Sequence, residues 1–290
     1  MASIPDIELL ASLANTPLSE PIPSDQLTLA LSQPPFVALP GSMNIRDLGT
    51  FAPGYVKPRT VFRSGRLDSI YECNLPLLRS QLQISRIFDF RLPGEAKSEL
   101  YEIEGIEVIL CPASDHTQIP RTVFTDLASE EGRVQIFLSQ YVRKLHEHKD
   151  GYKNIFEALK TAEEGQAVLF HCTGGKDRTG VMAALILNLM GAPAPVVADE
   201  YALTRIGIEP FREELLHEAL EHLAPKHDQT ETSAYIQGVR EMLGSYPAVM
   251  IAFMEHLRLN FDGAEGYLRN FLGFSQQDVE AIRQNLRPSS

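Results

Sequence analysis

Apolar and polar positions follow two rhythms along this chain. Short apolar runs of strand length occur at residues 60–67, 84–90, 106–110 and 167–171, each bounded by turn-forming residues. Pro53-Gly54 separates the first run from Asn44-Ile45-Arg46-Asp47-Leu48-Gly49, so residues 41–67 read as a hairpin or two short strands. Elsewhere the spacing is helical. Val134, Phe137, Leu138, Tyr141, Val142 and Leu145 share one helix face, and Tyr152, Ile155, Phe156 and Leu159 repeat the pattern on a second helix. Residues 181–190 form an apolar stretch rich in helix formers that follows the 167–171 strand after a short loop.

After Gly191 only helical stripes remain. They run through Phe211, Leu215, Ala219, Leu220 and Leu223, then Ile236, Val239 and Leu243, then Val249, Phe253, Met254 and Leu257. Residues 263–272 read as a further helix, stopped by Gly273, and Ser275 caps a last helix carrying Val279, Ile282 and Leu286. Strands alternating with helices predict an α/β fold, a mostly parallel central sheet flanked by helices, with a helical C-terminal extension. A short apolar helix around Ile7, Leu9, Leu10 and Leu13, then a Pro- and Ser-rich stretch, sets residues 1–35 apart as an N-terminal arm, leaving 36–290 as the main domain.

The loop between the 167–171 strand and the 181–190 helix reads His171-Cys172-Thr173-Gly174-Gly175-Lys176-Asp177-Arg178-Thr179-Gly180. A strand, a tight loop and a helix start make a nest of backbone N–H groups suited to an anion. The nest, the helix N-terminus and Arg178 all favour the thiolate form of Cys172, which is the nucleophilic form of a cysteine. Arg178 offers a planar fork that matches two oxygens of a phosphoryl group, and Gly174 and Gly175 let the backbone approach a ligand closely. A Walker loop is excluded, because Phe170 and Asp177 stand where it needs Gly and Ser or Thr. A zinc site is excluded by the wide separation of Cys73, Cys111 and Cys172.

This stretch resembles the signature of the protein-tyrosine-phosphatase superfamily, and in the form His-Cys-x-x-Gly-Lys-Asp-Arg-Thr-Gly it is similar to the bacterial and fungal atypical members, some of which also act on phosphoinositides. Three further segments support the resemblance: Asn-Ile-Arg-Asp-Leu-Gly with Phe-Arg-Ser-Gly, Asp89-Phe90-Arg91, and the helix segment 198–204. It implies the cysteine-phosphatase fold, with residues of about 196–260 as a lid-like insertion, and a phosphocysteine intermediate. Cys172 is then the nucleophile, and Arg178 and the loop amides of Thr173, Gly174, Gly175 and Lys176 bind the phosphoryl oxygens. Thr179 donates to the sulfur, His171 orients the loop, and Lys176 adds a second cation over the phosphate or faces solvent. The general acid is Asp177 or Asp115, the latter in a Pro-x-x-Asp-His loop whose His116 joins the substrate-binding set.

Arg46 and Arg63 either reach substrate or pair with an Asp at a sheet edge, and Glu95 pairs with Arg91 across a helical turn. The implied substrates are phosphotyrosine in proteins or, alternatively, a phosphoinositide; a phosphate-binding pseudophosphatase is the non-enzymatic alternative. No metal or cofactor is required, since Arg178 supplies the positive charge.

Composition narrows the partners. With 26 Lys and Arg against 38 Asp and Glu the formal charge is −12, which argues against nucleic acid and anionic membrane surfaces. Three cysteines without close spacing suit a reducing compartment. No basic segment precedes an apolar core at the start, and the 181–190 run is too short to span a bilayer, so a cytoplasmic location is expected.

Overall fold

The computed structural model describes residues 7–95, 102–114, 123–127, 129–223 and 233–288. Its strands are β1 (Arg46–Asp47), β2 (Val61–Ser64), β3 (Ile84–Asp89), β4 (Glu107–Leu110) and β5 (Ala167–His171). They form one sheet in the order β1-β2-β5-β3-β4. The pairs β2–β5, β5–β3 and β3–β4 are parallel, and β1 closes the edge antiparallel to β2, with Arg46 opposite Arg63. The α/β class expected from the alternation of elements is the one observed.

β5 lies at the centre and is buried along its whole length, as its uninterrupted apolar run requires. Its side chains alternate between two layers. Val168 and Phe170 face the larger one, while Ala167 and Leu169 join Phe62, Ile87, Leu78 and Ile103 on the other. The longer helices are α1 (Ile7–Ala14), α2 (Ser24–Leu31), α3 (Glu130–Glu147), α4 (Lys149–Lys160), α5 (Asp177–Leu189), α6 (Ala194–Ala202), α7 (Arg212–Leu223), α8 (Ser233–Glu241), α9 (Pro247–Phe261) and α10 (Gln276–Leu286). α5 is apolar on every side because it has neighbours on every side: β2, β5, α3 and α6. α10 begins on a capping box in which Ser275 and Asp278 each bond the other's backbone amide. No described helix is long and apolar enough to cross a membrane.

The arm packs on the body. Leu10, Leu13, Ile22 and Ala30 meet Phe36, Leu203 and Ile206, and Arg205 donates to the carbonyls of Thr16 and Glu20 at 3.1 and 2.8 Å. Within 196–260, α6 and α9 are core elements: Val197, Ala198 and Tyr201 on α6 and Val249, Phe253 and Leu257 on α9 are buried together. Arg66, whose backbone amide bonds the signature loop, reaches Glu214 and Glu218 of α7 at 2.6 and 2.7 Å.

One ionic cluster ties α6 to the sheet edge. Glu200 accepts from Arg46 Nε at 2.7 Å and from Arg63 Nη1 at 2.5 Å, and all three side chains are buried. The Arg–Asp pair expected from the sequence is therefore corrected: Asp47 instead caps the helical turn that follows it, accepting from Gly49 N. Removing one charge from such a buried cluster leaves the others uncompensated. Glu200→Gln should cost about 3 kcal/mol in urea unfolding; a loss below about 1 kcal/mol would show that the cluster does not hold the sheet edge to α6.

Candidate active site

The signature loop leaves the carboxyl end of β5 and enters α5, where parallel sheets carry their ligands. Its shape is set by what holds its carbonyls. Thr173 O accepts from Arg66 N at 2.8 Å. Asn44 Nδ2 donates to Gly174 O and Gly175 O, both at 3.1 Å, and Arg63 Nη2 donates to Gly175 O at 2.6 Å and Lys176 O at 3.4 Å. In a planar trans peptide the next N–H points opposite to the carbonyl. Four anchored carbonyls therefore turn the amides of Gly174, Gly175, Lys176 and Asp177 to the other side of the loop, beside the open amides of the α5 N-terminus.

Gly175 is required for this path. Its φ is +65°, and a Cβ there would stand 2.4 Å from Ser64 O, whereas a Cβ on Gly174 would meet nothing. Cys172 opens the loop and is buried, with Thr179 Oγ1 donating to its sulfur at 3.2 Å. His171 is fully buried, its Nδ1 lies 3.4 Å from Cys172 O and its Nε2 lies 3.6 Å from Asp89. Burial pushes its pKa down to about 4, so it is neutral at physiological pH.

Arg178 is held as a fork. Glu95 accepts from Nη1 at 2.6 Å and from Nη2 at 2.8 Å, and Phe90 O accepts from Nη1 at 3.0 Å. Burial opposes the charges of this pair, but each partner's charge and hydrogen bonds outweigh it. Glu95 is held down at about 2, and the Arg178 pKa is raised, with Cys172 adding to its rise. Glu95 also accepts from Thr173 Oγ1 at 3.1 Å. The Glu95–Arg91 pair expected from sequence is thus corrected, because Arg91 bonds Asp89 and Asp68 instead.

Asp177, the first residue of α5, keeps a side chain 35% exposed. Its Oδ1 accepts from the Tyr141 hydroxyl at 2.7 Å. Burial raises its pKa, but Lys176, Lys144, the Tyr141 hydrogen bond and Arg178 together bring it below the ordinary carboxylate value. Lys144 of α3 faces the same place; burial and the nearby Arg178 lower its pKa to about 8. Lys176 does not face solvent, which was one of its two expected places. Its ammonium is buried, donates to the carbonyls of Met242 and Gly244, and lies 4.6 Å from the centre of the Phe137 ring. It braces the loop against the segment after α8.

Asp115 and His116 lie outside the described residues. Cys111 is buried, which pushes its thiol up to about 11, and Cys73 is exposed. The sequence reading missed Asn44, Glu200, Tyr141 and Tyr201. Asn44 sits in a bend with a φ of +55°, ahead of β1, and no spacing in the sequence marked it.

Residues 37–288 match the model of a family described as the tyrosine phosphatase family. The chain is 32% identical over 146 residues to a tyrosine-protein phosphatase of Nostoc commune, a match covering 50% of this chain and 47% of that protein. It is 24% identical over 272 residues to the triple specificity protein phosphatase PtpB of Mycobacterium tuberculosis, covering 84% of this chain and 96% of that one. The chain thus spans about half the length of the Nostoc relative and nearly all of the mycobacterial one.

Two outcomes follow from this geometry. Gly175→Ala forces a Cβ into Ser64 and should cost roughly 2 kcal/mol, read as a lower urea midpoint, while Gly174→Ala should be close to neutral; equal midpoints for the two would refute the carbonyl-anchored path. The second concerns acid. Burial, with Arg178 and Lys144, holds His148 at about 3, and burial holds His171 at about 4. Unfolding returns both to an ordinary value of about 6.5, so below that pH the unfolded chain binds more protons and stability falls with pH. Glu95, ordinarily at 4.5 and held at about 2, adds stability above pH 4.5 that is lost on the way down to its folded pKa. A urea midpoint that stays flat from about pH 7 to about pH 4 would contradict this.

Proposed function

Because the chain belongs to the tyrosine phosphatase family, we propose that it hydrolyses phosphate monoesters, with phosphotyrosine in proteins as the principal substrate, through a phosphocysteine on Cys172. The observation that carries this reading is the set of amides turned to one side of the signature loop, with Cys172 at its start and the Arg178 guanidinium, held by Glu95, at its end. Those donors match the equatorial oxygens of a phosphoryl group in the transition state.

In the first step the Cys172 thiolate attacks phosphorus in line. The sulfur–phosphorus bond forms as the ester phosphorus–oxygen bond breaks, and the departing oxygen takes a proton from Asp177. In the second step water attacks phosphorus, Asp177 takes its proton, and the sulfur leaves with the bonding pair. The hydrogen bond from Thr179 to sulfur favours that departure. Asp177 supports this assignment by its place next to Arg178. Neighbouring cations hold its carboxyl ionised in the free protein, and a phosphate dianion seated beside it would draw the proton back. Arg178 stays charged because Glu95 and the site's other anions favour its protonated form.

A phosphoinositide is the second reading, favoured by Lys144, a further cation that faces Asp177 and Arg178 from α3. Lys176 does not serve it, since its ammonium is engaged by two carbonyls.

Phosphate release from a phosphotyrosine peptide, phosphoserine and phosphothreonine peptides and a phosphoinositide tests both readings. Turnover should persist in chelator and vanish in Cys172→Ser. Asp177→Asn should lower kcat about 100-fold on phosphotyrosine. Ligand trapping without turnover in the unaltered protein would reject catalysis in favour of a binding module.

A further inference from the structure

Behind Asp177 lies a pair of buried phenols that the reaction as drawn does not use. Tyr141 of α3 is fully buried, and its ring is enclosed by Phe137, by Tyr201 of α6 and by Phe253 of α9, with centroids 6.0, 6.1 and 6.0 Å away. Its hydroxyl is 2.7 Å from Asp177 Oδ1 and 2.5 Å from the Tyr201 hydroxyl.

The direction of this chain is determined. A carboxylate only accepts, so Tyr141 donates to Asp177, and its oxygen accepts the proton of Tyr201. Reversal would leave the Tyr201 proton aimed at nothing in a buried setting, which is costly. Burial also drives both phenols well above their ordinary pKa, so neither loses its proton in the working range. Oδ1 is therefore permanently an acceptor, and no described residue bonds Oδ2.

We propose that Tyr141, backed by Tyr201, is a positioning residue for proton transfer: by occupying Oδ1 it confines the mobile proton to Oδ2 of Asp177. This rests on the reading of Asp177 as the general acid. In the first step Oδ2–H gives its proton to the ester oxygen, which keeps the electron pair of the broken phosphorus–oxygen bond. The carboxylate that remains is stabilised through Oδ1, and in the second step Oδ2 accepts a proton from the attacking water. The other groups facing Asp177 are Lys176 of the loop, with Nζ 3.6 Å from Oδ1, Lys144 of α3 and Arg178 of α5. All three are cations, and none offers the single directed hydrogen bond that Tyr141 makes.

The test is the pH dependence of kcat on phosphotyrosine for Tyr141→Phe, Tyr201→Phe and Asp177→Asn, each checked for folding by its thermal midpoint. Losing the Tyr141 donor destabilises the carboxylate, so Asp177 keeps its proton to higher pH. The alkaline limb of Tyr141→Phe should move up by roughly one pH unit, and kcat at its optimum should fall about tenfold as Oδ2 loses its aim. The loss should be smaller on an aryl phosphate whose leaving group is already stable as an anion. Tyr201→Phe keeps the donation to Asp177 and should shift the limb in the same direction by less; this variant also decides the matter if Tyr141→Phe does not fold. An alkaline limb unmoved in the folded tyrosine variants, but abolished in Asp177→Asn, would overturn the positioning role and leave Asp177 as the acid. A limb and leaving-group dependence unchanged in Asp177→Asn would overturn the acid assignment and this proposal with it.

Discussion

A trans peptide cannot turn its carbonyl one way without turning the next amide the other way. The site of this protein depends on that constraint. Asn44 and Arg63 grip the carbonyls of residues 174–176, and Arg66 grips that of Thr173, so the loop has one face of acceptors tied to the body and one face of donors. Arg63 can stand there because Glu200 supplies a counter-charge that it shares with Arg46 in a buried cluster. A guanidinium in that position without a counter-charge would be strongly destabilising. The amide face is thus held by Asn44 just before β1, by Arg63 of β2 and by the backbone of Arg66, with Glu200 of α6 behind Arg63, and none of these belongs to the loop.

The second constraint is electrostatic. The chain carries a formal charge of −12, yet Arg178, Lys144 and Lys176 are gathered around Asp177. Each cation has a distinct environment. Lys176 is spent on backbone carbonyls, Lys144 has its pKa lowered to about 8 by burial, and Arg178 is kept charged chiefly by Glu95. A bidentate carboxylate fixes the plane of a guanidinium as well as its charge, so Glu95 sets the orientation of Arg178.

One helix serves both constraints. Successive residues on a helix point about 100° apart, so adjacent positions on α6 reach different sides of the loop. Glu200 turns to Arg46 and Arg63, while Tyr201 turns to Tyr141 and through it to Asp177. Just beyond α6, Thr204 accepts from Arg46. The shape of the loop and the state of its carboxyl group are linked through two neighbouring residues of a core helix.

The sequence by itself determined the α/β class, the buried strand β5, the loop that follows it and the two residues on which the proposed chemistry turns, Cys172 and Arg178. These were legible because they are local: an apolar run, a glycine-containing loop and a helix start are contiguous, and their backbone consequences extend only a few residues. The partners of the charged groups were not legible. Arg63 and Glu200 are 137 positions apart, Arg178 and Glu95 are 83 apart, and Tyr141 and Asp177 are 36 apart. Sequence spacing favoured near partners, an Asp at the sheet edge for Arg46 or Arg63 and Arg91 for Glu95, because neighbours along the chain are always available. Burial decided otherwise. Once the sheet and α6 close, a charge can be satisfied only by what shares its pocket, and that is a property of how the elements pack together.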